Sequence, residues 1–189
     1  MDALLGVLVG IGLSAACGFR VFVPLLIMSI AANAGHLQLA PSFQWIGSDV
    51  AVAAFAIATI LEVIAYYVPW MDNLLDSVAT PAAICAGTIV TAAMVSDMSP
   101  FLKWTLAVIA GGGAAGLVQG TTVLARGTSS ATTAGFANPI LATIELGGSM
   151  FTSLLAILLP IAAIVLLILF AVLFWKKVVP RVSKLRFFR

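Results

Sequence analysis

Long apolar runs separated by short polar stretches set the rhythm of this chain, and their lengths predict membrane-spanning helices. A spanning helix needs about 20 apolar residues at a rise of about 1.5 Å each. Residues 3–33 exceed that length and contain Gly18 and Pro24 as helix breaks, so the run is either one long kinked helix or two unequal pieces divided near Gly18. The stretch 34–48 reads as an interfacial loop, with Pro41 and Gly47 for turns and Trp45 at headgroup level. His36 stands alone there as a surface residue. A second span covers 50–68 and ends at Pro69, followed by a polar loop, WMDNLLDS, with Asp72 and Asp76 one helical turn apart. A third, short span over 80–96 opens at Thr80-Pro81, where proline suits a first helical turn. Asp97, Ser99 and Pro100 close it.

The fourth span covers 102–125. Residues 129–147 are too short and too polar for a comfortable crossing, and Asn138, Pro139 and Glu145 within them favour a re-entrant segment. A last span, 149–175, carries Pro160 and should tilt or kink. The expectation is an all-α, polytopic membrane protein with about five spanning helices plus one re-entrant or short broken helix. Two orientations follow. Five spans plus a re-entrant segment put the N-terminus outside and Lys103 inside; six spans put the N-terminus and Arg126 inside and Lys103 outside.

Composition sharpens this. Of 189 residues, 62% are hydrophobic and only 8% charged, against about a quarter charged in a soluble domain, and mean hydropathy is +1.19. Lipid must therefore be the solvent. Six of the nine basic residues (Lys176, Lys177, Arg181, Lys184, Arg186 and Arg189) follow the last apolar run, so a basic tail, 176–189, should be cytoplasmic. It suits anionic lipid headgroups; without a soluble domain, nucleic acid is not an expected partner. Cys17 and Cys85 lie in apolar runs, too few for a disulfide framework or a metal site. The N-terminus lacks a basic leader region, so it reads as a retained first helix. The expected setting is a lipid bilayer crossed several times, with the C-terminus on the cytoplasmic side.

Polar character concentrates in Gly111–Leu146 and in its counterpart Gly6–Pro24. Gly6, Gly10 and Arg20 recur as Gly112, Gly116 and Arg126 at a constant offset of 106 residues. On a helix each set would fall on one strip, small residues leading into a cation, with Gln119 joining the second set. Gly6, Gly10, Gly112, Gly116 and Gly120 are therefore candidate helix-packing positions, available also to a homo-oligomer. Gly18-Phe19 with Pro24 is echoed by Gly135-Phe136 with Pro139. A single domain, 1–175, would then hold repeat halves 1–78 and 102–175 around a linker helix, 80–97, inverted as in many transporters.

Four ionisable residues fall at or near membrane depth: Arg20, Glu62, Arg126 and Glu145. Insertion scales put one such residue at roughly 2.5–3.5 kcal/mol at a helix centre, so each should face protein or water. Two readings stay open, salt bridges that pin the bundle or the lining of a polar site. Glu62 and Tyr66 share a helix face, with Glu62 a candidate proton carrier. The hydroxyls from Thr128 to Thr133 and the Asn138-Pro139 break are candidates to expose backbone to a ligand. The candidate substrate or ion site is Arg20, Glu62, Tyr66, Gln119, Arg126, Asn138 and Glu145. Common hydrolase, nucleotide and metal motifs are absent, so neither catalysis nor a cofactor is expected.

On the run AACGFRVFVPLL (Ala15–Leu26), on Glu62 with VPWMDNLLDS, and on Pro81, Gly87, the glycines at 111–113, Arg126, Asn138-Pro139 and Glu145, the chain resembles a family of small bacterial membrane proteins catalogued as domain of unknown function 4126. The resemblance implies an integral-membrane fold and brings no activity with it. This sequence is less charged than that family's pattern where Tyr66-Tyr67, Gln119 and Thr122 stand. Phe19–Pro24 also faintly resembles the arginine-and-proline re-entrant motif of DedA-type lipid flippases. The leading expectation is a small transporter or flippase for an anionic or amphipathic substrate. An oligomeric channel and a non-transporting scaffold are the alternatives.

Overall fold

The computed structural model describes residues 3–96 and 98–186; the side chains of 3, 69–74, 76 and 177–186 lie outside that description, as does Asp97. Among the described residues the fold is all-α: α1 (Ala3–Cys17), α2 (Phe22–Asn33), α3 (Asp49–Tyr66), α4 (Pro69–Met94), α5 (Pro100–Leu106), α6 (Gly113–Thr133), α7 (Asn138–Leu158) and α8 (Pro160–Arg186). A 3₁₀ turn, Pro41–Gly47, precedes α3, and a π-helical segment, Ala107–Gly112, joins α5 to α6 into one rod. By length and composition four helices can cross a membrane: Asp49–Tyr66, Ser77–Met94, Pro100–Thr133 and Asn138–Leu158. Leu4–Cys17, Phe22–Asn33 and Pro160–Lys176 are apolar but shorter. This is a polytopic helical membrane fold.

The distribution of side chains is that of a protein dissolved in lipid. Large apolar residues such as Ile57, Ile60, Leu61 and Ile64 on α3 face outward, whereas Ser14, Thr91, Ser149 and Ser153 are fully buried. Without a hydrophobic drive between helices, association rests on close packing and hydrogen bonds, both of which small residues permit. The helix at the centre of that packing is α4. The Ser14 hydroxyl lies 2.7 Å from the Gly10 carbonyl, 2.6 Å from the Gly87 carbonyl and 2.8 Å from Thr91 Oγ1. A Cβ on Gly87 would meet Ala115 Cβ at 2.7 Å and the Gly111 carbonyl at 2.9 Å. Gly111 lies against the Thr91 hydroxyl, and a Cβ on Gly112 would meet Thr88 Oγ1 at 2.8 Å. The segment expected as a linker helix, 80–97, is thus the post against which α1 and the π–α6 rod both dock.

The chain reverses direction between α1 and α2. Gly10 packs on Thr91 and Met94, and Ser14 lies one turn back along α4 at Gly87, so α1 runs antiparallel to α4. After the break, Val21 and Phe22 lie beside Glu62, Ser29 reaches the Ile46 carbonyl, and Asn33 bonds Asp49. The Ala40 N–H then donates to Ala93 at 2.8 Å, back at the end of α4 where α1 began. Both ends of the α1–α2 pair therefore lie at one end of the bundle. Lys103, over the Phe43 ring, shares that end. Both expected orientations had set Lys103 opposite the N-terminus, because each counted residues 3–33 as one crossing.

Several boundaries differ from those expected. Gly18 is a true break, packed so that a Cβ would meet Val118 Cβ at 2.6 Å and the Gln119 nitrogen at 2.9 Å. Pro24 is not a break: it sits in the first turn of α2, where its missing N–H would have had no helical partner. Residues 70–77 are helix rather than loop, and α4 runs through Pro81; the Asp72–Asp76 pair lies outside the described residues. No separate re-entrant segment occupies 131–146. Residues 134–137 instead form a turn, with Ala134 and Gly135 at φ 52° and 85°, between α6 and a 21-residue α7 that begins at Asn138-Pro139. The span 149–175 is divided at Leu159, after which α8 folds back: Ala163 lies with Ala156 against Gly12. The helix of α8 continues to Arg186, and the basic side chains beyond Lys176 lie outside the description.

The proposed strips and their inversion do not hold. Arg20 lies beyond the end of α1 while Arg126 lies within α6, so the two sets are not alike. Gly111, Gly112 and Ala115 descend α4 in the order Thr91, Thr88, Gly87, the direction in which α1 descends it, so α1 and α6 run parallel. Gly10, Gly112 and Gly116 pack as expected and Gly6 is buried, but Gly120 faces open space. Gly87→Val should therefore force helices apart at a cost of about 1–3 kcal/mol, read as a lowered unfolding midpoint in detergent. Gly113→Ala, in open space, should leave that midpoint unchanged or raise it.

Candidate functional site

At residues 18–21 the helix of α1 stops inside the bundle, and its geometry creates the site. Gly18, Phe19 and Arg20 close the end of α1 by bonding back to Ala15 and Ala16. The first amides of α2 then need acceptors from elsewhere. Glu62 on α3 supplies them: Oε1 accepts from the Val21 N–H at 2.8 Å and Oε2 from the Phe22 N–H at 3.1 Å. A carboxylate at a helix N-terminus is favoured by both the hydrogen bonds and the helix dipole. The sequence offers Glu62 as a candidate proton carrier; its place in the fold is a cap delivered across the bundle.

One helical turn beyond Glu62, Tyr66 carries the arginines. The guanidinium of Arg20 lies 3.7 Å from the centre of the Tyr66 ring and that of Arg126 lies 4.3 Å from it, both within cation–π range. Glu145 on α7 holds the two together. Arg126 Nε donates to Glu145 Oε1 at 2.9 Å, and its Nη2 pairs with Oε2, a two-pronged contact. Arg20 Nη2 lies 3.4 Å from the same Oε2 and donates to the Ala142 carbonyl at 3.0 Å. Arg20 is 2% exposed, Arg126 3% and Glu145 6%. Two cations thus share one carboxylate, and Arg20 has donors to spare: its Nε and Nη1 are buried without a hydrogen-bond partner among the described residues.

A cavity of about 370 Å³ abuts this cluster. Its floor includes Val21, Phe22, Glu62 and Tyr66, and its walls are apolar side chains of α3 and α4, among them Leu61, Leu75, Val78 and Ala79. Leu61 and Val78 are also exposed on the outer surface, so the cavity lies between α3 and α4 on the face turned to lipid. An apolar cavity with a few converging polar groups is the usual form of a small-molecule site.

Two expected members lie apart from this group. Gln119 is buried where Gly18 packs on its backbone nitrogen. Asn138 donates to the Ser130 hydroxyl at 3.3 Å, fastening the turn between α6 and α7. The hydroxyls of Thr128, Thr132 and Thr133 bond carbonyls of their own helix, rather than opening the backbone to a ligand. Among the described residues no group of three or more His, Cys, Asp or Glu side chains could hold a metal. The Ser14–Gly87–Thr91 contact escaped the sequence reading; its available signal was Gly87, Thr88 and Thr91 within one turn of an apolar helix.

A family model described as Domain of unknown function (DUF4126) matches residues 7–179, which include the cluster and the cavity. The chain belongs to the domain of unknown function 4126 family. No curated protein and no solved structure matches it. In this member the family span closes around the Tyr66 cluster. Glu145→Ala, which leaves two guanidiniums to repel each other, should lower stability by about 3–5 kcal/mol. Adding Arg126→Leu should restore part of the loss. Unfolding curves of the two singles and the double, compared in a cycle, test this; additive costs would show that Arg126 and Glu145 are not coupled.

Proposed function

We propose that this protein is a small membrane transporter or flippase for an amphipathic substrate with an anionic group. The observation that carries the reading is Arg20: a buried cation with two donors that have no hydrogen-bond partner among the described residues, next to a lipid-facing apolar cavity that shares Tyr66 with it. The apolar walls suit a hydrocarbon tail, and the guanidinium donors that Glu145 does not take up suit an anionic head. In this reading the α1–α2 reversal is a re-entrant pair that brings a helix start to membrane depth, as discontinuous helices do in transporters. On the positive-inside bias the basic end of α8 is cytoplasmic, and in this reading the N-terminus, residues 34–48 and Lys103 are then outside, in the inner membrane of a bacterium.

A scaffold reading draws on the close pairing of Arg126 with Glu145, which pins α6 to α7. Flux separates the two. Proteoliposomes carrying a fluorescent anionic phospholipid should lose inner-leaflet protection from an impermeant quencher faster than protein-free vesicles, and faster than with a zwitterionic analogue. Arg20→Gln should cut the excess rate about tenfold or more, the loss of one charge-assisted hydrogen bond or two. Equal rates with and without protein would sink the transport reading in favour of the scaffold.

A further inference from the structure

The amides of a helix start are a ready seat for an anion, and at α2 that seat is filled by the protein's own Glu62. Because Pro24 has no N–H, the donors there are the N–H groups of Val21, Phe22 and Val23, and Glu62 occupies two of them. Arg20, the residue before them, is buried, and its Nε and Nη1 have no hydrogen-bond partner among the described residues. The cavity reaches the same point, since Val21, Phe22 and Glu62 are among its lining. Three independent features therefore meet: the first amides of a 12-residue helix, held by a side chain rather than by backbone, an under-used guanidinium, and a space for an apolar tail.

Charge balance decides how a ligand could enter. Near Glu62 are Arg20 ahead of α2, Glu145 on α7 and the Cys17 thiol at the end of α1, and Tyr66 on α3 and Arg126 on α6 join them through Arg20 and Glu145. On α4 the described side chains at the cavity, Leu75, Val78, Ala79 and Ala82, are uncharged; the carboxylates of Asp72 and Asp76 lie outside the description. Two arginines and two glutamates sum to zero. An added anion would leave a net buried negative charge, which a low-dielectric interior strongly disfavours. Protonating Glu62 cancels that charge and loosens its hold on the two amides in one step.

We propose that Glu62 is an internal stand-in for the headgroup, and that the Val21 and Phe22 amides with Arg20 form the anion site it covers. A single-chain anionic amphiphile binds there, tail in the α3–α4 cavity, as Glu62 takes up one proton from water. This rests on the transport reading for its substrate class and adds the coupling ion. The affinity should fall about tenfold per pH unit over the range where Glu62 is ionised when free and protonated when occupied.

The probe is decane-1-sulfonate, which stays ionised at every pH used, so any proton taken up belongs to the protein. Calorimetric titration of the full chain in zwitterionic nanodiscs, in two buffers of different ionisation enthalpy, gives the proton count. Wild type should take up about one proton per sulfonate at pH 8 and bind decyltrimethylammonium and decyl maltoside no better than empty discs do. Glu62→Gln, which retains an oxygen for the amides, should bind more tightly at pH 8 with no proton uptake. Arg20→Gln should bind about ten- to hundredfold more weakly. Sulfonate binding without proton uptake in wild type, or equal binding of the neutral amphiphile, overturns the inference, and the wild-type measurement decides even where a variant does not fold. Proton-linked binding without lipid translocation would keep the site and remove the transport reading. Translocation without proton uptake would do the reverse.

Discussion

When a helix stops within an apolar medium, its first amides must find acceptors inside the protein, and for α2 that acceptor is Glu62. Much of the arrangement follows from this one contact. It ties the start of α2 to a point near the end of α3, so the two helices pack antiparallel, with Asn33 meeting Asp49 at the other end. It sets Tyr66, one turn further, beneath Arg20. It leaves Arg20 just outside the helix start, where Glu145 and the Ala142 carbonyl of α7 can reach it. A backbone reversal, a carboxylate cap and an arginine cluster are thus one construction.

That construction needs a rigid back wall, and α4 provides it. Gly87 lets Gly111 and Ser14 approach α4 from two sides, and Thr91 fills the space between them. The π-helical turn at Ala107–Gly112 lies at this contact, presenting successive glycines to one neighbour. Such turns recur at functional positions, and here the turn sets where α6 carries Arg126. Close packing on α4 thus positions the ionic cluster as surely as the hydrogen bonds within it.

Much of this was legible in the residues. Apolar run lengths showed the helices, Gly18 marked the break, and Arg20, Glu62, Arg126 and Glu145 stood out because charge in such surroundings demands a partner. What could not be read was direction. Apolar length shows how far a helix can reach, not whether the next one continues or returns, so 3–33 fits one crossing by length alone and the polar residues at 131–146 fit a return. Proline was ambiguous for a related reason: Pro24 begins a helix, Pro81 is absorbed by one, and Pro160 follows a reversal. The glycine–arginine spacing was real, but a spacing carries no orientation, and α1 and α6 run parallel.

The remaining weight falls on why the charges are there at all. Replacing a buried ion pair with apolar residues of similar volume is often neutral or stabilising, while removing one partner is strongly destabilising. A bundle that needed only fastening has cheaper fasteners, as the Ser14–Thr91 contact on α4 shows. The Tyr66 cluster instead stacks two cations on one ring, gives them one shared carboxylate, and leaves donors of Arg20 unused. An arrangement built for stability alone would spend those donors within the fold. Those donors lie on a guanidinium stacked over the Tyr66 ring with no hydrogen-bond acceptor among the described residues, beside a cavity whose floor is a carboxylate seated on helix amides, and that combination supports the proposal of a ligand from outside the chain.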